Sequence, residues 1–145
     1  MKYVDRCLKK AVILFNEIRY EVSEEHVHKV ISILWAIIEL FLRAIVYRYK
    51  HTTYDKPGKL ISVFDKSILP IIGVSEDIVS KLNSLYNLRR RTVHRPDIMG
   101  FKELRKGLTL FCQITDILSN ELKRLNPSIE KALRSLRELC ISITI

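Results

Sequence analysis

Apolar residues recur at helical spacing along almost the whole chain. In the first segment they fall at Val4, Leu8, Ala11, Phe15, Ile18 and Val22. Alternating steps of four and three make one stripe on a helix. Ser23 then offers a capping oxygen. Glu24 and Glu25 follow it, where a helix dipole favours negative charge. A second helix is predicted to run to about Lys50. Its apolar positions include Val27, Val30, Ile31, Leu34, Ile38, Phe41, Leu42 and Ile45. They cover more than one face, which predicts a central helix with contacts on two sides.

Residues 51–57 read as a loop. A short helix is expected from Pro57, since proline suits a first helical position. It is expected to end by Leu69, because Pro70 restricts the residue before it. Gly73 marks a turn. Ser75 with Glu76 and Asp77 repeats the cap-plus-acid signature. The helix it opens carries Ile78, Leu82, Leu85 and Tyr86 and closes at Pro96. Asp97 is the expected cap of the next helix, whose stripe is Phe101, Leu104, Leu108, Phe111, Thr115, Leu118, Leu122 and Leu125. Asn126 and Pro127 end it, and Ser128 is placed to cap a last helix with Ile129, Leu133, Leu136 and Cys140 on one side. Residues 141–145 alternate β-branched positions, so an extended tail packed on something is expected there.

The predicted fold class is therefore all-α: a four-to-five-helix up-down bundle with an extra C-terminal helix. The chain of 145 residues is read as one domain, with a core over about 5–125 and an extension over 127–145. Only 4 Gly and 4 Pro leave too few turn signals for a many-stranded sandwich or barrel. The apolar fraction of 48% is too high for a disordered basic tail. Residues 30–47 are apolar enough to suggest a membrane span, but Glu39 and Arg43 interrupt them one turn apart, as an ion pair would. A buried helix explains the run better, so no membrane association is expected. The first residues are charged throughout and lack a small-residue cleavage site, unlike a signal peptide. Cys7, Cys112 and Cys140 are an odd number at wide spacing, read as buried thiols in a reducing cytoplasm.

Charge sharpens the picture. The net charge is +9. Residues 1–80 hold 12 Lys and Arg against 10 Asp and Glu, whereas residues 81–145 hold 13 against 6. Arg89, Arg90, Arg91, Arg95, Lys102, Arg105 and Lys106 crowd one helix junction, opposed only by Asp97 and Glu103. Such a surplus suits an anionic partner, or is simply a solvated face. Three consecutive arginines on a helix point in three directions, since each residue turns the chain by about 100°. One of them should face a groove or a subunit interface, and a buried guanidinium requires an anion.

His94 lies five residues after Arg89. An imidazole beside guanidinium groups can cleave RNA without a metal. The imidazole exchanges protons with the ribose 2′-hydroxyl and the leaving oxygen. The guanidinium groups neutralise charge that develops on the phosphate. By spacing alone the signal is weak, and a surface histidine ending a basic helix is the plain alternative.

The run Leu88, Arg89, Arg90, Arg91, Thr92, Val93, His94, Arg95 resembles the HEPN superfamily motif, an arginine followed after four to six residues by a histidine. Arg89 and His94 match the two key positions. Leu88 and Val93 match the apolar residues that commonly flank them. Arg90 stands where the family commonly has asparagine, and Pro96 where one toxin subgroup has tyrosine. Residues 38–44, with Glu39 and Arg43 in an apolar run, are similar to the family's long second helix. The resemblance implies a helical bundle that dimerises so that two motifs share one cleft. It also implies a metal-independent, cofactor-free endoribonuclease that leaves 2′,3′-cyclic phosphate ends, acting as a toxin or defence component. A nucleotidyltransferase antitoxin of MNT type is the implied partner. Arg89 and His94 would be catalytic, and Arg90, Arg91, Arg95, Lys102 and Arg105 would hold RNA. The alternative is a non-catalytic module of the same kind that binds RNA, a nucleotide or a nucleotidyltransferase. A plain helical interaction protein is a third reading.

Other residues carry blander readings. His26 and His28, two apart, point to opposite sides of a helix and lack metal-site spacing. His51 suits the helix C-terminus as a structural cation. Tyr47, Tyr49 and Tyr54 lie among Arg48 and Lys50, where packing is the simpler reading than base stacking. Glu39 is either a structural partner of Arg43 or a group near the implied dimer cleft.

Overall fold

The computed structural model describes residues 2–21, 27–98 and 100–144. Among them the chain is all-helical, without a strand. The elements are α1 (Lys2–Glu21), α2 (Val27–Lys50), α3 (Pro57–Val63), a π-helical segment (Phe64–Ile68), α4 (Leu69–Ile72), α5 (Asp77–His94), α6 (Phe101–Leu125) and α7 (Glu130–Thr144). Short 3-10 turns at Pro96–Ile98 and Pro127–Ile129 join the last three helices.

The α1 stripe is buried from Val4 to Ile18; Val22 and the capping residues Ser23, Glu24 and Glu25 lie outside the described residues. All eight α2 positions named above are buried, together with Trp35, Ile37, Ala44 and Val46. That breadth makes α2 the axis of the bundle, packed on α1, α3, α5 and α6. The contacts set the directions. Tyr3 meets Tyr47 with ring centroids 4.6 Å apart, so α1 and α2 run antiparallel. Trp35 meets Tyr86 at 5.2 Å while Gly107 faces both Ile31 and Leu88, so later residues of α5 lie beside earlier residues of α2 and the two run antiparallel. Gly107 faces Ile31 and Leu34, and Tyr49 donates to Glu121, so α6 runs parallel to α2. At Gly107 a Cβ would stand 3.3 Å from both Ile31 and Leu88, so the small residue lets α6 approach α2 and α5 closely.

α2 is long and apolar enough to cross a membrane by length and composition, with mean hydropathy 2.1 over an 18-residue window. Yet 61% of that window is buried inside the bundle, as suits the core helix of a soluble protein.

Several local expectations are corrected. The helix from Pro57 does not end by Leu69 but reaches Ile72, through Pro70. The π-helical turn makes this tolerable. Leu69 N–H bonds Phe64 O across five residues, and Pro70 sits in the first turn of α4, where no amide donor is required. Gly73, at φ 66°, then terminates α4. Ser75 does not cap α5 with its side chain; its carbonyl accepts from Ile78 N–H at 3.2 Å. Asp97 does not cap α6, which starts after Gly100, where the Glu103 carboxylate accepts the Gly100 N–H at 3.0 Å. Asn126 rather than Ser128 caps the last helical segment, accepting from Ser128 N–H at 3.0 Å. In the α6 stripe the first member, Phe101, is 53% exposed. The tail is not extended: α7 continues to Thr144, and Ile145 lies outside the described residues. Ile141, expected to be packed, is exposed.

Only Cys7 is the expected buried thiol. Cys112 and Cys140 are joined in a disulfide, with Cα atoms 5.8 Å apart, between α6 and α7. The pairing depends on the antiparallel docking of two helices 28 residues apart in sequence, which spacing alone does not reveal.

Candidate functional site

The last two turns of α5 place the basic residues. Leu85, Leu88 and Thr92 are buried and fix which face of α5 turns inward. Thr92 is anchored twice over, by burial and by a hydrogen bond from Oγ1 to the Arg89 carbonyl at 2.7 Å. Arg89 adjoins that inward face and is half-buried, whereas Arg90, Arg91, Val93 and His94 are exposed. Of the three consecutive arginines, Arg89 is the one that is half-buried. Among the described residues Arg89, Arg90 and Arg91 form no ion pair with a carboxylate, and the His94 imidazole makes no hydrogen bond.

Angular position decides which groups can cooperate within one chain. Five residues of helix place Arg89 and His94 roughly 140° apart. Arg90 is four residues and Arg91 three residues before His94, so these two are its neighbours on the helix surface. Tyr86, Arg90 and His94 form successive steps of four along one face. The Arg90 guanidinium lies over the Tyr86 ring, 5.8 Å from its centroid. Tyr86 in turn packs on the buried Trp35.

The flanking residues divide into two kinds. Arg95 ends α5, donating its backbone N–H to Arg91 O at 2.7 Å. Its guanidinium grips Asp97 through Nε–Oδ1 at 3.2 Å and Nη2–Oδ2 at 3.1 Å. This bond holds the Asp97 carboxyl below its usual range. Arg95 is thus already engaged by a carboxylate, unlike the three arginines before it. The Glu103 carboxyl is also held low, first by the Gly100 N–H bond, with lesser help from the charges of Lys102 and Arg91. On α6, Lys102 is exposed, and Arg105 lies over the exposed Phe101 ring at 5.0 Å.

Tyr86, Phe101 and Glu103 are the parts that sequence reading left without a role here. The signal for the first two was present as aromatic–arginine pairs four residues apart. Glu39 pairs with Arg43 at 2.7 Å, and Arg43 also donates to the Asp55 carbonyl at 3.3 Å. Tyr49 donates to the buried Glu121, which Arg124 also meets at 3.3 Å. His51, at φ 52°, ends α2 with its ring edge-on to Tyr47. His28 is exposed, and His26 lies outside the described residues. No group of three or more His, Cys, Asp or Glu side chains among the described residues is arranged to hold a metal ion.

Two clefts, of about 470 and 760 Å³, flank α7, and neither is lined by Arg89 or His94. In one chain the basic cluster is an open surface at the end of the bundle, with two arginine–aromatic pairs and an unengaged imidazole. Comparison with family models, curated proteins and solved structures returns no match to this chain.

Proposed function

We propose that this chain is a HEPN-like endoribonuclease that cleaves RNA as a homodimer in the cytoplasm, as a toxin or defence component. The observation that carries the proposal is the grouping of an exposed His94 with Arg89, Arg90 and Arg91, none of which has a carboxylate partner among the described residues. A cationic surface that its own fold leaves uncompensated attracts a polyanion. Arg89 and His94 diverge on one helix, so convergence on one phosphate requires a second copy facing the first. In that arrangement one imidazole takes the 2′-hydroxyl proton as the 2′-oxygen bonds to phosphorus. The bond to the 5′-oxygen breaks, and the second copy's imidazole protonates it. Arg89 offsets the charge on the phosphoryl oxygens. The product ends are a 2′,3′-cyclic phosphate and a 5′-hydroxyl. A nucleotidyltransferase antitoxin of MNT type is the proposed partner.

The test is to incubate pure protein with RNA in EDTA beside Arg89→Ala and His94→Ala. Cleavage by the parent chain alone supports the proposal. Equal residual cleavage in all three is contamination and sinks it.

A second reading is favoured by the openness of the cluster and by the guanidinium groups lying on Tyr86 and Phe101. Arginine–aromatic pairs hold bases and phosphates without chemistry. On this reading the chain is a binding module for RNA, a nucleotide or a nucleotidyltransferase. It predicts RNA binding with a steep salt dependence and no cleavage.

A further inference from the structure

The Cys112–Cys140 disulfide lies away from the basic cluster and has no part in the proposed cleavage. It joins the middle of α6 to the last turns of α7. The buried apolar anchors of the C-terminal segment are Ile129, Leu133 and Leu136. Beyond Leu136 no described side chain is fully buried: Leu139 and Cys140 are half-buried, and Arg137, Glu138, Ile141 and Ser142 are exposed. The final two turns of α7 therefore combine a covalent tie with the partial packing of Leu139 and Cys140, where the preceding turns have fully buried anchors. A helical stretch this short has little stability of its own.

The tie is also reachable. Both cysteines line an open cleft of about 470 Å³ between α6 and α7. Lys123, Arg134 and Arg137 line it too, with Asp116 and Glu130 as the opposing carboxylates. Arg134 pairs with Glu130 at 3.8 Å, and Arg137 lies one turn before Cys140; a cation there attracts an incoming thiolate and stabilises the departing one. Cys7 shows the contrast. It is buried in the common core, and burial pushes its thiol up, away from the reactive thiolate form.

We infer that the Cys112–Cys140 disulfide is a thiol–disulfide clasp, opened by a dithiol reductant and closed by the corresponding disulfide, that controls docking of residues 137–144 on α6. In the opening step a thiolate of the dithiol attacks one protein sulfur, and the other cysteine leaves with the bonding electron pair. The second thiol of the reductant then displaces the first cysteine. The protein gains two electrons and two protons as two thiols, and the reductant becomes a disulfide. In a reducing compartment the last turns of α7 are released, and an oxidising shift fastens them.

The experiment uses the full chain in native buffer. It is equilibrated with oxidised and then with reduced dithiothreitol, alkylated with a maleimide, weighed intact and followed by amide hydrogen exchange. Native reduction is expected to add two maleimides, at Cys112 and Cys140. Amides of residues 137–144 should exchange at least tenfold faster, with those of Val27–Lys50 unchanged. Cys140→Ser should show the same fast exchange without reductant, and Cys112→Ser provides the same test from α6. The inference is overturned by any of four results. No disulfide forms under the oxidised dithiol; or the disulfide yields only in denaturant; or exchange in α7 does not change on reduction. Loss of protection throughout α2 in the reduced chain or in both variants also overturns it, since the bond would then be a staple of the whole fold. None of these readouts involves RNA, so failure here leaves the cleavage proposal standing, and the converse holds.

Discussion

His94 stands at the last position of α5, exposed, with Arg90 and Arg91 one turn before it. If it moves protons in catalysis, His94→Ala lowers RNA cleavage by about 100-fold or more, the scale of general acid–base contributions. Arg89→Ala should fall similarly. The arginines are not equivalent, and the structure ranks them. Arg95 is held by Asp97 through two hydrogen bonds, whereas Arg90 and Arg91 have no such partner among the described residues. We expect Arg90→Ala and Arg91→Ala to weaken RNA binding several-fold more than Arg95→Ala does, as read by fluorescence anisotropy at fixed salt. Glu103 offers a pH test. Its folded carboxyl is held below 4.5 by the Gly100 N–H. The stabilisation it gives is complete above that value and is lost as pH falls through the lowered one. The Gly100 amide resonance should therefore titrate with a midpoint below 4.5, and Glu103→Gln should abolish that titration.

At the scale of elements, the apolar stripes of α1, α2, α5 and α6 were legible because burial follows periodicity within each helix. The caps were less so. Ser75, Asp97 and Ser128 carry capping chemistry but lie outside the positions where the helices start, since turns or 3-10 segments intervene. Pro70 misled for a related reason: a π-helical turn is set by packing, and no local residue announces it. The basic cluster was visible as composition, and the Tyr86–Arg90 pair as a spacing of four, whereas Arg95–Asp97 depends on the backbone turn that ends α5. Two element-scale predictions follow from packing. Gly107→Val pushes a branched side chain against Ile31 and Leu88 and should cost about 1–3 kcal/mol in urea unfolding. Tyr49 pins the end of α2 to the buried Glu121, and this bond pushes the Tyr49 hydroxyl above 10.0. A raised folded value means stability that is intact below the ordinary tyrosine range and declines as pH rises through the folded value. The parent chain should therefore lose stability above pH 10 more steeply than Tyr49→Phe, which should cost about 1–3 kcal/mol at neutral pH.

For the whole molecule, the bundle carries a basic cluster at the junction of α5 and α6. α1 and α2 supply 18 of the 37 buried apolar side chains among the described residues, and most of the charge surplus lies in residues 81–145. The single Trp35 is buried against Tyr86, which lies beneath Arg90, so its emission can report on that cluster. A homodimer at that junction predicts a solution mass of twice 17.0 kDa by sedimentation. The measurement that tests the central claim most directly is end-group analysis of a labelled single-stranded RNA in EDTA, with the parent chain, Arg89→Ala and His94→Ala at equal concentration. The expected result is 2′,3′-cyclic phosphate ends from the parent chain and about 100-fold less from either variant. Tight binding without cleavage by the parent chain, or equal cleavage by all three, would contradict it.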